Sequence, residues 1–153
     1  MNVFKAIVLG FIAGAIATVT VHEFVSWLFS NPAVWTGWDR VPWSQEPVEW
    51  AAVGIAVPKI ANAMFWGGLW GAIFGLILGA HPMGSMTFRG AAMGIVGPAV
   101  LGLFLIVPML KGEPPFFAND VSKIVPALVI LACYGAATAW LYGAFRYGRL
   151  PGA

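Results

Sequence analysis

Charge is what this 153-residue chain has least of. Asp, Glu, Lys and Arg make up 9% of it, against about 25% in an ordinary soluble domain. Six acids and eight bases cannot coat a water-facing globule of this size, so the surface is expected to face lipid. Cysteine is nearly absent too. Cys133 stands alone in an apolar run, which excludes an internal disulfide or a Cys-based metal cluster. Histidine occurs only as His22 and His81, expected at opposite ends of the helices, so the two cannot ligate one haem. The net charge of +2 is small and its bases are scattered singly, so nucleic acid is not an expected partner. Catalytic signatures are also missing: the chain has no GxSxG, HExxH, Walker loop or CxxC, and neither enzyme activity nor a cofactor is expected.

What is present is apolar. The hydrophobic types reach 60%, where ~45–50% is usual. Four stretches, about 4–29, 53–80, 90–110 and 124–145, each approach the ~20 residues that a bilayer core requires. They predict an all-α fold, an integral membrane four-helix bundle forming a single domain over residues 1–153. A β-barrel is disfavoured, because the runs are continuous rather than alternating. Asn31-Pro32, His81-Pro82-Met83-Gly84 and Lys111-Gly112-Glu113-Pro114-Pro115 separate the stretches. Pro98 and Pro108 fall inside the third, where a kink is expected. Lys5 and the small residues Ala13-Gly14-Ala15 resemble a signal peptide with its cleavage site. The apolar run continues to Phe29, however, and predicts an uncleaved first helix.

An even number of helices puts both termini on one side. That side carries Lys5, Arg89, Arg146 and Arg149 and no acid, whereas the other mixes Arg40, Lys59, Lys111 and Lys123 with Asp39, Glu46, Glu49, Glu113 and Asp120. The acid-free side with the short loop is the better cytoplasmic candidate. The opposite side holds the longest loop, 31–51, with Trp35, Trp38, Trp43 and Trp50 among Pro32, Pro42 and Pro47. Indoles favour the headgroup level, where the ring is buried and the N–H stays wet. These four tryptophans are expected to anchor the loop at the interface, with a docking face for a partner as the other reading.

Small residues recur every fourth position. The second helix has Ala63, Gly67, Gly71, Gly75 and Gly79, and the first has Ala6, Gly10 and Gly14. The same spacing appears in Gly90 and Gly94 and in Gly135, Ala139 and Gly143. Such spacing lets helix backbones approach closely in lipid. Each step drifts roughly 40° around a helix, so one straight partner follows only two or three steps. The second helix is therefore expected to sit centrally and serve two neighbours. The faces close either within the bundle or against another chain.

Ionisable groups at membrane depth are costly and normally face protein or a cavity. The run from Lys5 to His22 rises ~26 Å against a hydrocarbon core of ~30 Å. His22 and Glu23 thus lie near the loop-rich side, at the depth of Lys59, with Asn62 a turn further in. A Glu23–Lys59 ion pair is expected, with His22 turned about 100° away from Glu23. Its readings are a structural clasp, a proton- or ion-handling site or, least supported, a metal site.

The segment Phe65-Trp66-Gly67-Gly68-Leu69-Trp70-Gly71, with Leu110-Lys111-Gly112-Glu113-Pro114, resembles a family of small bacterial membrane proteins without an assigned activity. The similarity extends to His22 and to the Pro/Trp-rich first loop. It implies a multi-pass protein of the bacterial inner membrane and supplies no mechanism. The expected function is a non-catalytic accessory or structural subunit, in contact with the bilayer and with other membrane subunits or its own copies. The alternative is a small transporter or channel that uses His22, Glu23 and Lys59.

Overall fold

Four helices of the required length form. In the computed structural model, which describes residues 2–79 and 86–148, they are α1 (Val3–Phe29), α2 (Lys59–Leu78), α3 (Met86–Lys111) and α4 (Val121–Tyr147), each long and apolar enough to cross a membrane. His81, Met83 and Arg149, used above to place loops and charges, lie outside the described residues. The ends are set locally. The Asn2 side chain accepts the Phe4 N–H at 2.9 Å, and Asp120 Oδ1 accepts the Ser122 N–H at 3.0 Å; both satisfy first-turn donors that a helix leaves open. Gly112 and Gly148 close α3 and α4 at φ 67° and 65°, a conformation that only glycine adopts without strain.

The all-α expectation needs one correction. Residues ahead of α2 form an antiparallel hairpin of β1 (Pro47–Trp50) and β2 (Ile55–Pro58), paired Val48 to Val57 and Trp50 to Ile55. Hydropathy alone reads Val53, Ile55 and Val57 as helix. A helix begun at residue 53 would put Pro58 in its second turn, without an N–H and against the carbonyl four residues back. The helix therefore starts at Lys59, not near 53. The last two helices in turn begin three or four residues earlier than expected, at Met86 and Val121.

The helices associate in two close pairs. A Cβ added to Gly71 would lie 2.7 Å from Gly14 Cα, and one added to Gly135 would lie 2.8 Å from Gly94 Cα. Backbone meets backbone at both places, α1 on α2 and α3 on α4. The register of α2 then explains a second correction. Gly67, Gly71 and Gly75 all face Gly14, Gly10 and Ala6 of α1, while Gly79 has turned towards the Tyr142 hydroxyl of α4. The drift per step does limit one partner to three positions, but α2 is not central. The two pairs join through α1 and α4, so α2 and α3 are flanking helices. Trp70 of α2 fills the space beside Gly97 and Gly102 of α3.

Two features interrupt regular α-geometry. Residues Thr18–His22 of α1 and Ile95–Ile106 of α3 are wound as wider π turns. The second surrounds Pro98, which has no N–H to donate; the first coincides with Thr18, Val19, Thr20 and Val21, whose β-branches crowd an α-turn. Between α3 and α4, Phe116, Phe117, Ala118 and Asn119 all have positive φ, from 49° to 63°. This left-handed turn delivers Phe116 and Phe117 onto Phe104, with ring centroids at 5.3 and 5.6 Å. Loop 31–58 and this turn lie at the same end of the bundle, called the cap end below.

Candidate functional site

The site grows out of the π turn in α1. A wider turn shifts each N–H to the carbonyl five residues back and exposes carbonyl oxygens to other donors. One of these, Val19 O, accepts the Trp43 indole N–H at 2.8 Å. Trp43 itself has φ 49°, a conformation that costs a non-glycine residue about 1–2 kcal/mol. In return its backbone N–H reaches Glu23 Oε2 at 2.7 Å. Both N–H groups of one loop residue thus end on α1.

Glu23 is buried and its other oxygen is also engaged. Oε1 lies 2.9 Å from His22 Nδ1, which must carry the proton for a carboxylate to accept it. This overturns the expectation that the two side chains diverge. The 100° step describes Cα–Cβ directions on an α-helix; here the turn is π, and two long side chains bend together beside it. The His22 ring also stands edge-on to Tyr134 of α4, with centroids 6.4 Å apart. Tyr134 in turn donates its hydroxyl to the Gly67 carbonyl, whose oxygen also lies against Gly14 of α1.

The expected Glu23–Lys59 pair does not form. Lys59 Nζ is 3.8 Å from Glu46 Oε2, and both side chains are largely solvent-exposed. The hairpin is the reason. It holds Glu46 over the start of α2, where the Lys59 N–H donates to Glu46 O at 2.8 Å and the Ile60 N–H to Ser44 O at 3.0 Å. Asn62 joins neither charge. Its Oδ1 accepts the indole N–H groups of Trp50 at 2.9 Å and Trp66 at 3.2 Å.

All four loop tryptophans donate to the chain itself. Besides Trp43 and Trp50, Trp35 reaches Ser122 O at 2.7 Å and Trp38 reaches Ser26 Oγ at 3.1 Å. Trp38 is 7% exposed and packs with Phe104, Ala127 and Ile130. It is a core residue of the cap, not a ring at a lipid surface. Its apolar area drives burial, and the one polar atom that burial would strand finds a partner.

Between α1, the loop and the start of α2 lies a partly open cavity of about 50 Å³. His22, Glu23 and Lys59 line it as the sequence led us to expect, but so do Ser26, Arg40 and Ser44. Those three were missed: Ser26 already lies on α1, but only the folded loop closes Arg40 and Ser44 over it. Their sole sequence signal is a loop rich enough in tryptophan and proline to fold back on the helices. Comparisons of the chain with family models, with curated proteins and with solved structures give no match.

Proposed function

We propose that the chain is a non-catalytic integral membrane protein, an accessory or structural subunit of a membrane assembly or a homo-oligomer. The observation that carries this reading is the latch at Glu23. The buried carboxylate has its two oxygens occupied by Trp43 N–H and His22 Nδ1; its geometry is that of a clasp holding the cap to α1. Large apolar side chains cover the helix surfaces, among them Phe24, Trp27, Ile77 and Val96, each at least half exposed. That is a surface for lipid and for neighbouring helices.

The glycine faces support a narrower form of the expectation. They are filled from within the chain, so association with other subunits uses the large apolar side chains instead. Lys5, Arg89 and Arg146 mark the cytoplasmic end under the positive-inside rule, which puts the cap outside. The inner membrane of a bacterium fits the resemblance carried by residues 65–71 and 110–114.

A second reading, a small transporter or channel, draws on one observation: the cavity beside His22 and Glu23 is polar and partly open at the cap end. Native mass measurement after extraction in mild detergent separates the two. A defined oligomer or a stoichiometric membrane partner is expected, with no ion flux into liposomes above that of empty ones. A lone monomer with a pH-dependent flux, abolished by Glu23→Gln without loss of folded protein, would replace the subunit reading by the transporter.

A further inference from the structure

The hairpin ahead of α2 separates charge from apolar surface along its length. From Trp50 to Pro58 no residue is ionisable, while Glu46 and Glu49 precede that run and Lys59 follows it. Pairing Pro47 with Pro58 puts Glu46 and Lys59 at the base and the apolar run at the tip. Residues 51–56 are all exposed, Val53 to 62% and Ile55 to 50%. A Cβ added to Gly54 would meet nothing within 4 Å. The tip is bare of protein among the described residues.

The hairpin does not stand off the cap. Its far rung, Trp50 paired with Ile55, is held on the flank of α2. Trp50 Nε1 donates to Asn62 Oδ1 at 2.9 Å, and the Trp50 ring lies 4.9 Å from that of Phe65. On a helix that starts at Lys59, those two residues lie roughly 5 and 9 Å along the axis. The same Asn62 oxygen accepts the indole of Trp66, whose ring is half exposed. Indoles with a buried ring and a polar partner are typical of the headgroup level. Leu69, Ile73 and Leu76 continue the exposed face of Trp66 along α2, so tip and helix share one apolar surface. Bare strand edges are kept out of hydrocarbon because their N–H and C=O groups go unpaired. Here the Val53 and Gly54 N–H groups both donate to Trp50 O, at 3.0 and 2.9 Å. Pro47 and Pro58 have no N–H to satisfy. The turn therefore brings few open donors with it, and Glu49 limits how deeply it sinks.

We propose that the hairpin tip, residues 51–56, is seated in the cap-side leaflet, between the headgroups and the first methylenes of the acyl chains. Its partner is lipid, and the inference rests on reading the chain as an integral membrane protein. A protein partner fits the tip less well. Interfaces between proteins are enriched in aromatic residues and arginine, and Trp50, the one aromatic residue of the run, is turned inward onto Phe65. What remains outward is Ala, Val, Gly and Ile, aliphatic groups without a hydrogen-bonding side chain, which suit hydrocarbon. The tip then fastens the cap to the bilayer beside α2, independently of the latch at Glu23.

The experiment places an environment-sensitive fluorophore at the tip of the full chain in phosphatidylcholine vesicles. Cys133 is the single cysteine, so Cys133→Ala leaves Val53→Cys as the only labelling site; Ala52→Cys, also exposed, is a second such site. Two quenchers are compared: iodide present on both sides of the membrane, and lipid carrying a spin label near the top of its acyl chain. Glu113→Cys, in an exposed turn, is the water reference. Ile73→Cys, on the outward face of α2, is the lipid reference and is read with a label near the chain end. The tip probes are expected to be quenched by the shallow lipid label and to resist iodide. Iodide quenching at the tip equal to that at Glu113→Cys would mean that the hairpin stands in water. Protection from both quenchers would mean that protein covers it, a second copy or another subunit. Either result overturns the proposal while Ile73→Cys still reports lipid. Iodide quenching at Ile73→Cys as well would overturn the membrane reading itself, and this inference with it.

Discussion

The Trp43 backbone N–H donates to Glu23 Oε2 at 2.7 Å and joins a loop residue to a helix residue 20 positions earlier. The cap depends on this contact more than on any ion pair. Removing the carboxylate leaves the Trp43 N–H and His22 Nδ1 without that acceptor in a partly buried place. Hydrogen bonds to charged groups contribute about 1.5–3 kcal/mol each, so Glu23→Ala should cost on that order.

Glu23→Gln should cost less, because an amide oxygen still accepts from Trp43. Lys59→Gln should change stability by roughly 0–1 kcal/mol, as for other exposed pairs. Reversing the charges at 23 and 59 should rescue nothing, since Lys59 sits against Glu46. Melting in detergent ranks the four variants; a Lys59→Gln loss as large as that of Glu23→Ala would sink this account of the latch.

Glycine positions divide sharply by what faces them. A methyl at Gly71 would meet the α1 backbone, with Gly14 Cα at 2.7 Å and Gly14 N at 2.9 Å. A methyl at Gly102 would meet the Trp70 ring at 3.4 Å, an ordinary contact. Gly71→Ala should therefore force α1 and α2 apart and cost about 1–3 kcal/mol, the usual range for overpacking. Gly102→Ala should melt at or slightly above wild type, since alanine restricts the unfolded chain more. Equal melting of the two variants would mean that Gly71 does not sit at a backbone contact.

How much of this was legible in the sequence follows the range of the forces involved. The four helices show in runs of single-residue hydropathy, and the spacing of Gly67, Gly71 and Gly75 shows their contact face because helical period is local. The helix that would meet that face was not legible: Gly71 meets Gly10 and Gly14 across a long loop. The hairpin was hidden because Val53, Ile55 and Val57 are as apolar as a helix start, and only Pro58 argued otherwise. At the site, His22, Glu23 and Lys59 stood out by being charged or titratable in apolar runs. Ser26, Arg40 and Ser44 did not, because serine in a helix and arginine in a loop are ordinary until Trp38 and Trp43 fold over them.

The turn before α4 stores strain that a single change can release. Ala118 has φ 55° and ψ 33°, and its side chain is exposed. A left-handed conformation costs a non-glycine residue about 1–2 kcal/mol, and glycine adopts it freely. Part of that gain is offset by the larger unfolded-state entropy of glycine, about 0.5–1 kcal/mol. Ala118→Gly should raise stability by about 0.5–1 kcal/mol. A lower melting temperature for this variant would show that the turn is not left-handed.

Asp120 makes the start of α4 sensitive to acid. Its carboxylate accepts the Ser122 hydroxyl at 2.6 Å and the Ser122 N–H at 3.0 Å, with Lys123 Nζ 3.6 Å away. These interactions, the Ser122 hydroxyl first, hold its pKa below the ordinary aspartate value. A carboxylate whose pKa is lower in the folded than in the unfolded chain stabilises the fold while both states are ionised. That contribution is present above the unfolded value, about 3.9, and is lost as pH falls through the lower folded value. Asp120→Asn keeps a side-chain oxygen able to cap the helix but cannot titrate. Wild type and variant should therefore approach each other in melting temperature between pH 7 and pH 3, with the wild type falling more steeply below about pH 4. Every other carboxylate contributes equally to both curves and drops out of the comparison. Ser122→Ala removes the hydroxyl donor, so Asp120→Asn placed in that background should alter the acid limb less. Parallel acid limbs for wild type and Asp120→Asn would show that the carboxylate is no better held in the folded chain than in the unfolded one.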